Sequence, residues 1–112
     1  MKLITAMVKP DIVDDLVLAV TAAGAHGMTA TEVIGFGQQF GHSGAVNSTG
    51  YPAVLLPKVR VDIAVKDEDA GQVVEAITKC ANTGTIGDGK IWVSALDGAL
   101  RVRTGERDDA AL

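Results

Sequence analysis

Apolar and polar positions alternate in several short stretches of this chain and recur at helical spacing in two longer ones. Leu3 to Val8 is a β-prone run that Lys9-Pro10-Asp11 stops, because proline has no N–H to give to a ladder. Asp11 is a residue type that accepts a helix's first free N–H groups, which predicts it as an N-cap. Ile12, Leu16 and Val20 then recur every four residues, with Val13 and Val17 beside them, as one apolar helix stripe. Gly24 is predicted as the C′ residue that ends it. Met28 to Phe36 alternates around Thr29, Thr31 and Val33 and predicts a second strand. Val59, Val61, Ile63 and Val65 alternate with Arg60, Asp62 and Ala64, a third strand with one buried face. Asp67 to Ala81 predicts a second helix, capped near Asp67 or Asp69, with Val73, Val74 and Ile77 facing inward. Ile91 to Leu96 predicts a fourth strand, and Leu100 to Val102 a short edge strand.

Gly37 to Pro57 has neither period. It carries Gly37, Gly41, Gly44 and Gly50 with Asn47-Ser48-Thr49 between them, the composition of a long functional loop. The order β-α-β-β-α-β predicts an α+β, ferredoxin-like fold. Its four-stranded antiparallel sheet has both helices on one face and the long loop between strands two and three. Residues 1–112 read as one domain, with 37–57 as an effector loop and 104–112 as a polar, flexible tail. The strands carry apolar residues on more than one face, which predicts that further copies cover the open side of the sheet.

Composition narrows the function classes. Apolar residues make up 47% and charged residues 21%, an ordinary globular balance that excludes a disordered chain. A net charge of −4 without a long basic run disfavours a nucleic-acid partner. The single cysteine, Cys80, cannot form an intrachain disulfide and ends a helical pattern, as a packing residue does. No apolar stretch approaches the roughly 20 residues of a membrane span, and no leader-like run opens the chain. A cytoplasmic protein without membrane insertion is the expectation. His26 and His42 lack metal-ligand spacing, and no nucleophile elbow or zinc-protease motif occurs. Asp14-Asp15 and Asp67-Glu68-Asp69 fall in first helical turns, where carboxylates favour the helix dipole. With no nucleophile–base pair, the chain is not expected to be an enzyme.

Candidate chemistry concentrates in Thr83-Gly84-Thr85-Ile86-Gly87-Asp88-Gly89-Lys90, between the second helix and the fourth strand. Glycines let successive N–H groups approach an anion, and Lys90 adds a cation at the rim. A tight helix-to-strand turn around Asp88-Gly89 explains the same residues equally well. Arg101 and Arg103, two apart on a strand, would share one face and suit a polyphosphate, or answer Glu106 or Asp108. Gly35-Phe36-Gly37-Gln38-Gln39 permits close backbone approach at the start of the long loop, as a ligand contact or as a hinge.

Taken together, several motifs resemble the PII signal-transduction proteins. These are Lys9-Pro10, Gly27-Met28-Thr29, Gly35-Phe36-Gly37-x-Gln39, Leu56-Pro57-Lys58-Val59, Thr83-Gly84-x-Ile86-Gly87-Asp88-Gly89-Lys90-Ile91-Trp92-Val93 and Arg101-Val102-Arg103-Thr104-Gly105-Glu106. The resemblance spans nearly the whole chain. It implies a ferredoxin-like homotrimer that binds ATP or ADP in clefts between subunits, often with Mg²⁺ and 2-oxoglutarate. It implies output through the long loop onto an ammonium channel, another transporter or a metabolic enzyme. By position it places Gly87, Gly89, Lys90, Arg101 and Arg103 on the phosphates, with Ile86 and Asp88 in the same turn and Gly35, Phe36, Gly37 and Gln38 approaching. Met7, Thr29, Asp62 and Ala64 would surround adenine and ribose. Gln39 would help hold Mg²⁺ and 2-oxoglutarate, and Lys58 would pair with a 2-oxoglutarate carboxylate.

The departures fall on charge. Positions usually basic in the family read Gln38, Phe40 and Thr85, and the loop centre reads Val46-Asn47-Ser48-Thr49-Gly50-Tyr51. Of the family's two loop tyrosines only Tyr51 is present, either as a modification site or as a plain contact residue. The resemblance thus implies nucleotide binding with weakened 2-oxoglutarate binding. A regulator of another transport system, such as bicarbonate, that senses AMP or ADP is the alternative. A slow ATPase with Asp88 as its base is a third reading.

Overall fold

A computed structural model describes residues 1–37 and 55–112. Four strands, β1 (Lys2–Val8), β2 (Thr29–Gly35), β3 (Leu56–Val65) and β4 (Lys90–Ala95), form one sheet in the order β2-β3-β1-β4. Every neighbouring pair is antiparallel. Two helices, α1 (Val13–Ala22) and α2 (Asp67–Ala81), pack on one side. This is the βαββαβ ferredoxin-like arrangement that the apolar pattern predicts.

The register explains why one face is dry. Ile4, Ala6 and Val8 lie opposite Ile63, Val61 and Val59, and all six are buried. Leu16 and Val20 from α1 and Val73, Ile77 and Ala81 from α2 complete the same core. Burying each such aliphatic side chain stabilises the fold by roughly 1.5–3 kcal/mol before chain entropy is set against it. Residues one position out of step face the other way. Met7 lies between Arg60 and Lys90, and Thr5 between Asp62 and Trp92. Thr5 is buried even so, and its hydroxyl donates to Asp62 Oδ1 at 2.7 Å.

Helix ends differ in part from the sequence expectation. Gly24 does end α1: its φ is +108°, Ala25 N–H bonds Val20 O at 3.0 Å and Gly24 N–H bonds Thr21 O at 3.1 Å. This crossed pair is the Schellman motif, which needs the left-handed backbone that glycine supplies. Asp11, however, is not an N-cap. Pro10–Ile12 form a 3₁₀ turn, and Ile12 precedes α1 without any side-chain cap. Carbonyls of the tightened turn take the early N–H groups, since Ile12 N–H reaches Lys9 O and Val13 N–H reaches Pro10 O. Nor do Asp67 and Asp69 cap α2. Lys66 holds the cap position, and the Asp67 carboxylate instead pairs with the Met1 ammonium at 2.8 Å.

β3 begins three residues before the predicted strand, at Leu56. Its first part pairs only with β2, so Pro57 sits where a missing N–H matters least. The edge strand expected at Leu100–Val102 is absent. Leu100 makes a single bridge to Arg107, and the intervening residues turn. Arg101 N–H bonds Glu106 O at 2.9 Å and Gly105 N–H bonds Arg101 O at 2.8 Å, which closes the turn. Beyond it, Asp108–Ala111 forms a 3₁₀ turn tied to Ala99 O through Asp108 N–H at 2.8 Å. Residues 104–112, expected as a loose tail, carry these bonds and fold back on the preceding segment. No helix among the described residues is long and apolar enough to cross a membrane.

Candidate functional site

At the β2–β4 end of the open face lies a cleft of about 970 Å³. One wall is Val33 to Gly37, the opposite wall is Thr85 to Lys90, and Met7, Lys58 and Trp92 form the floor. The sheet register builds that floor: Met7 neighbours Lys90, and Trp92 stands two residues along β4 on the same face.

Backbone constraint shapes the glycine wall. Gly84, Gly87 and Gly89 all have positive φ, +75°, +101° and +106°. At Gly89 a Cβ would run into the Met7 carbonyl, so the turn lies directly against β1 and only glycine fits. The Gly87 carbonyl accepts from Lys58 Nζ at 2.6 Å, which holds this cation at the cleft wall.

Asp88 closes the turn from inside. Its Oδ2 accepts from Thr83 N–H at 2.7 Å and Gly84 N–H at 3.0 Å, while Oδ1 takes the Thr83 hydroxyl and Lys9 Nζ, the latter at 3.1 Å. Hydrogen bonding from the Thr83 hydroxyl, then from Thr83 N–H and Lys9, holds the Asp88 carboxyl far below the usual carboxylate range. Such a group is a weak base whose lone pairs are already used. Lys9 Nζ also reaches Thr85 Oγ1 at 3.2 Å and Thr83 Oγ1 at 3.4 Å. Thr85 thus acts as an acceptor for a cation 76 residues away.

The expected site residues separate into three groups. Met7, Gly35, Phe36, Gly37, Lys58, Ile86, Gly87, Asp88, Gly89 and Lys90 share the cleft. Thr29, Asp62 and Ala64 lie on β2 and β3, with Thr29 opposite Asp62, and do not line it. The Asp62 carboxylate is engaged by Arg60 Nε at 3.0 Å and by Thr5, and the Arg60 hydrogen bond above all lowers its pKa. Arg101 and Arg103 also stand outside the cleft, in a turn and not on a strand, so the shared strand face expected of them is absent. Gln38, Gln39 and Tyr51 lie outside the described residues.

The family model described as nitrogen regulatory protein P-II matches residues 1–106. The chain belongs to this family. GlnK of Escherichia coli K12 is 45% identical over 112 residues, covering all of both chains. P-II of Rhizobium etli is 47% identical over the whole of both chains. P-II 2 of Methanothermobacter thermautotrophicus is 46% identical over all of this chain and 97% of its own. P-II proteins are signal-transduction regulators and not enzymes.

One residue of the cleft, Trp92, and one that braces its glycine turn, Lys9, have no role in the sequence beyond the motif. Trp92 is half-exposed on the cleft floor, and alternation along β4 from Lys90 could have found it. Lys9 belongs to a strand stop in the sequence, and no local pattern signals its contact with a residue 79 positions on. Cys80 is partly buried against the core. Burial first, then the Asp15 charge, pushes its thiol up, so it stays protonated at neutral pH.

Proposed function

We propose that the chain is a P-II-type sensor that binds ATP or ADP in clefts between copies of itself. The observation carrying this reading is the cleft in which a glycine wall ending at Lys90 faces the Gly35–Gly37 backbone, with Lys58 at the floor. Backbone of this kind with cations at its rim matches the chemistry of a polyphosphate, and the apolar Met7, Ile86 and Trp92 surfaces suit a base. The separation of Arg101 and Arg103 from the cleft supports an assembled site. A second copy would bring its arginine turn, and its Thr29–Asp62–Ala64 patch, to the ligand. A closed homotrimer has three such clefts.

The remaining parts of the reading follow the same logic. Among the described residues no three His, Cys, Asp or Glu side chains gather to hold a metal. Mg²⁺ would therefore arrive with the nucleotide phosphates, with Gln39 as its protein contact. Lys58 would meet a 2-oxoglutarate carboxylate, and the neutral Thr85 would weaken that site. Output runs through 37–57 to a protein target of the cytoplasm or membrane surface: an ammonium channel, another transporter or a metabolic enzyme.

The test is a Lys90→Ala, Arg103→Ala double variant. It is expected to lose roughly a hundredfold or more in ATP affinity, since each charge-assisted bond contributes about 1.5–3 kcal/mol, with circular dichroism unchanged. Binding equal to the parent would reject the site. Co-refolding the two single variants tests the assembled cleft. Mixed oligomers should regain full-affinity binding in about a quarter of their clefts, and a site contained in one chain would regain none.

A further inference from the structure

The two arginines assigned to the phosphates are not equivalent. Arg101 Nη1 donates to Glu106 Oε1 at 3.2 Å, and its Nη2 donates to the Leu112 carbonyl at 3.3 Å. The same Glu106 oxygen accepts from the Thr104 hydroxyl at 2.7 Å, and Thr104 Oγ1 in turn accepts from Glu106 N–H at 3.2 Å. Arg101 and Glu106 are also joined through backbone, by Arg101 N–H to Glu106 O at 2.9 Å. Arg103, two residues on, is exposed and forms no ion pair or hydrogen bond with another described residue.

We infer that Glu106 is an affinity-setting residue: an internal carboxylate that competes with a phosphate for Arg101 and leaves Arg103 uncontested. The inference rests on the nucleotide-binding reading. A guanidinium offers its best attraction to an anion when its charge is uncompensated and its paired N–H groups are free. Glu106 takes one of those groups and neutralises the charge beside it. A phosphate reaching Arg101 must displace or share that carboxylate, whereas a phosphate reaching only Arg103 meets no such rival. The pair is half-exposed, with side chains 38% and 44% accessible, so the competition is modest and screened by salt. It therefore sorts nucleotides by how far their phosphate chain extends toward Arg101.

Isothermal titration of AMP, ADP and ATP against the parent, Glu106→Gln, Arg101→Ala and the double variant tests this. Glu106→Gln is expected to tighten binding about two- to fivefold for nucleotides long enough to reach Arg101, with a smaller gain at high salt. In the Arg101→Ala background the same substitution is expected to change nothing, because the competed group is gone. Unchanged or weaker binding by Glu106→Gln overturns the inference. So does a gain that persists without Arg101, which would mean that Glu106 acts through the turn's shape. If the parent binds no nucleotide, the underlying functional reading fails instead, which separates the two failures.

Discussion

The Gly-rich turn at 83–90 and the arginine turn at 100–107 are both short, both charged and both proposed here to meet phosphate, yet they are built in different ways. In the first, Asp88 ties Thr83, Gly84 and Lys9 together, and Gly89 lies against the Met7 backbone. In the second, two main-chain bonds close the turn, and an exposed Arg101–Glu106 pair decorates it. The difference teaches that backbone packed on the sheet fixes the first turn, whereas local bonds alone close the second. The cations are held by contacts weak enough to exchange.

The largest effect should come from adding one methyl to each turn. Gly89→Ala meets the Met7 carbonyl at a positive φ and should destabilise the fold by about 2–4 kcal/mol, seen as a lower urea midpoint. Gly105→Ala also has a positive φ, +76°, but open space around the new carbon, so about 1 kcal/mol is expected. Equal losses at the two glycines would erase the contrast.

Acid should next distinguish the turns. The folded state holds the Asp88 carboxyl below its ordinary value, so the unfolded chain binds that proton more readily. The stability this contributes is fully present above about pH 4, near the unfolded carboxylate pKa, and is lost as pH falls toward the folded value. Asp88→Asn should flatten the acid limb of a stability–pH curve between about pH 5 and 2, relative to the parent. Matching acid limbs would mean that the Asp88 network contributes nothing measurable. A smaller effect is expected of Lys9→Met, which removes one of the carboxylate's partners and keeps its two N–H bonds. It should lower the urea midpoint only slightly, because the pair is partly exposed and screened.

Much of this contrast was legible in the sequence, and the rest was not, for physical reasons. The core was readable because period-two and period-four apolar repeats at Val59–Val65 and Ile12–Val20 each serve one buried face. Gly24 was readable because a helix end needs a left-handed residue. The N-caps differ because Asp11 and Asp67 are capping types, but Asp11 lies inside a 3₁₀ turn and the Asp67 carboxylate is drawn to the Met1 ammonium. Arg101 and Arg103 looked like strand neighbours because spacing two is all a sequence shows. The bonds from Arg101 to Glu106 and from Gly105 to Arg101 bend that segment. Within the site, the Gly-rich turn was visible as composition, while Lys9 at Asp88 and Lys58 at Gly87 depend on register across the sheet.

The most direct measurement is calorimetric titration of the protein with ATP and with ADP. Saturable binding of both is expected near micromolar affinity, about −8 kcal/mol. Absence of heat with either nucleotide, across temperatures where a binding enthalpy could not vanish throughout, would contradict it.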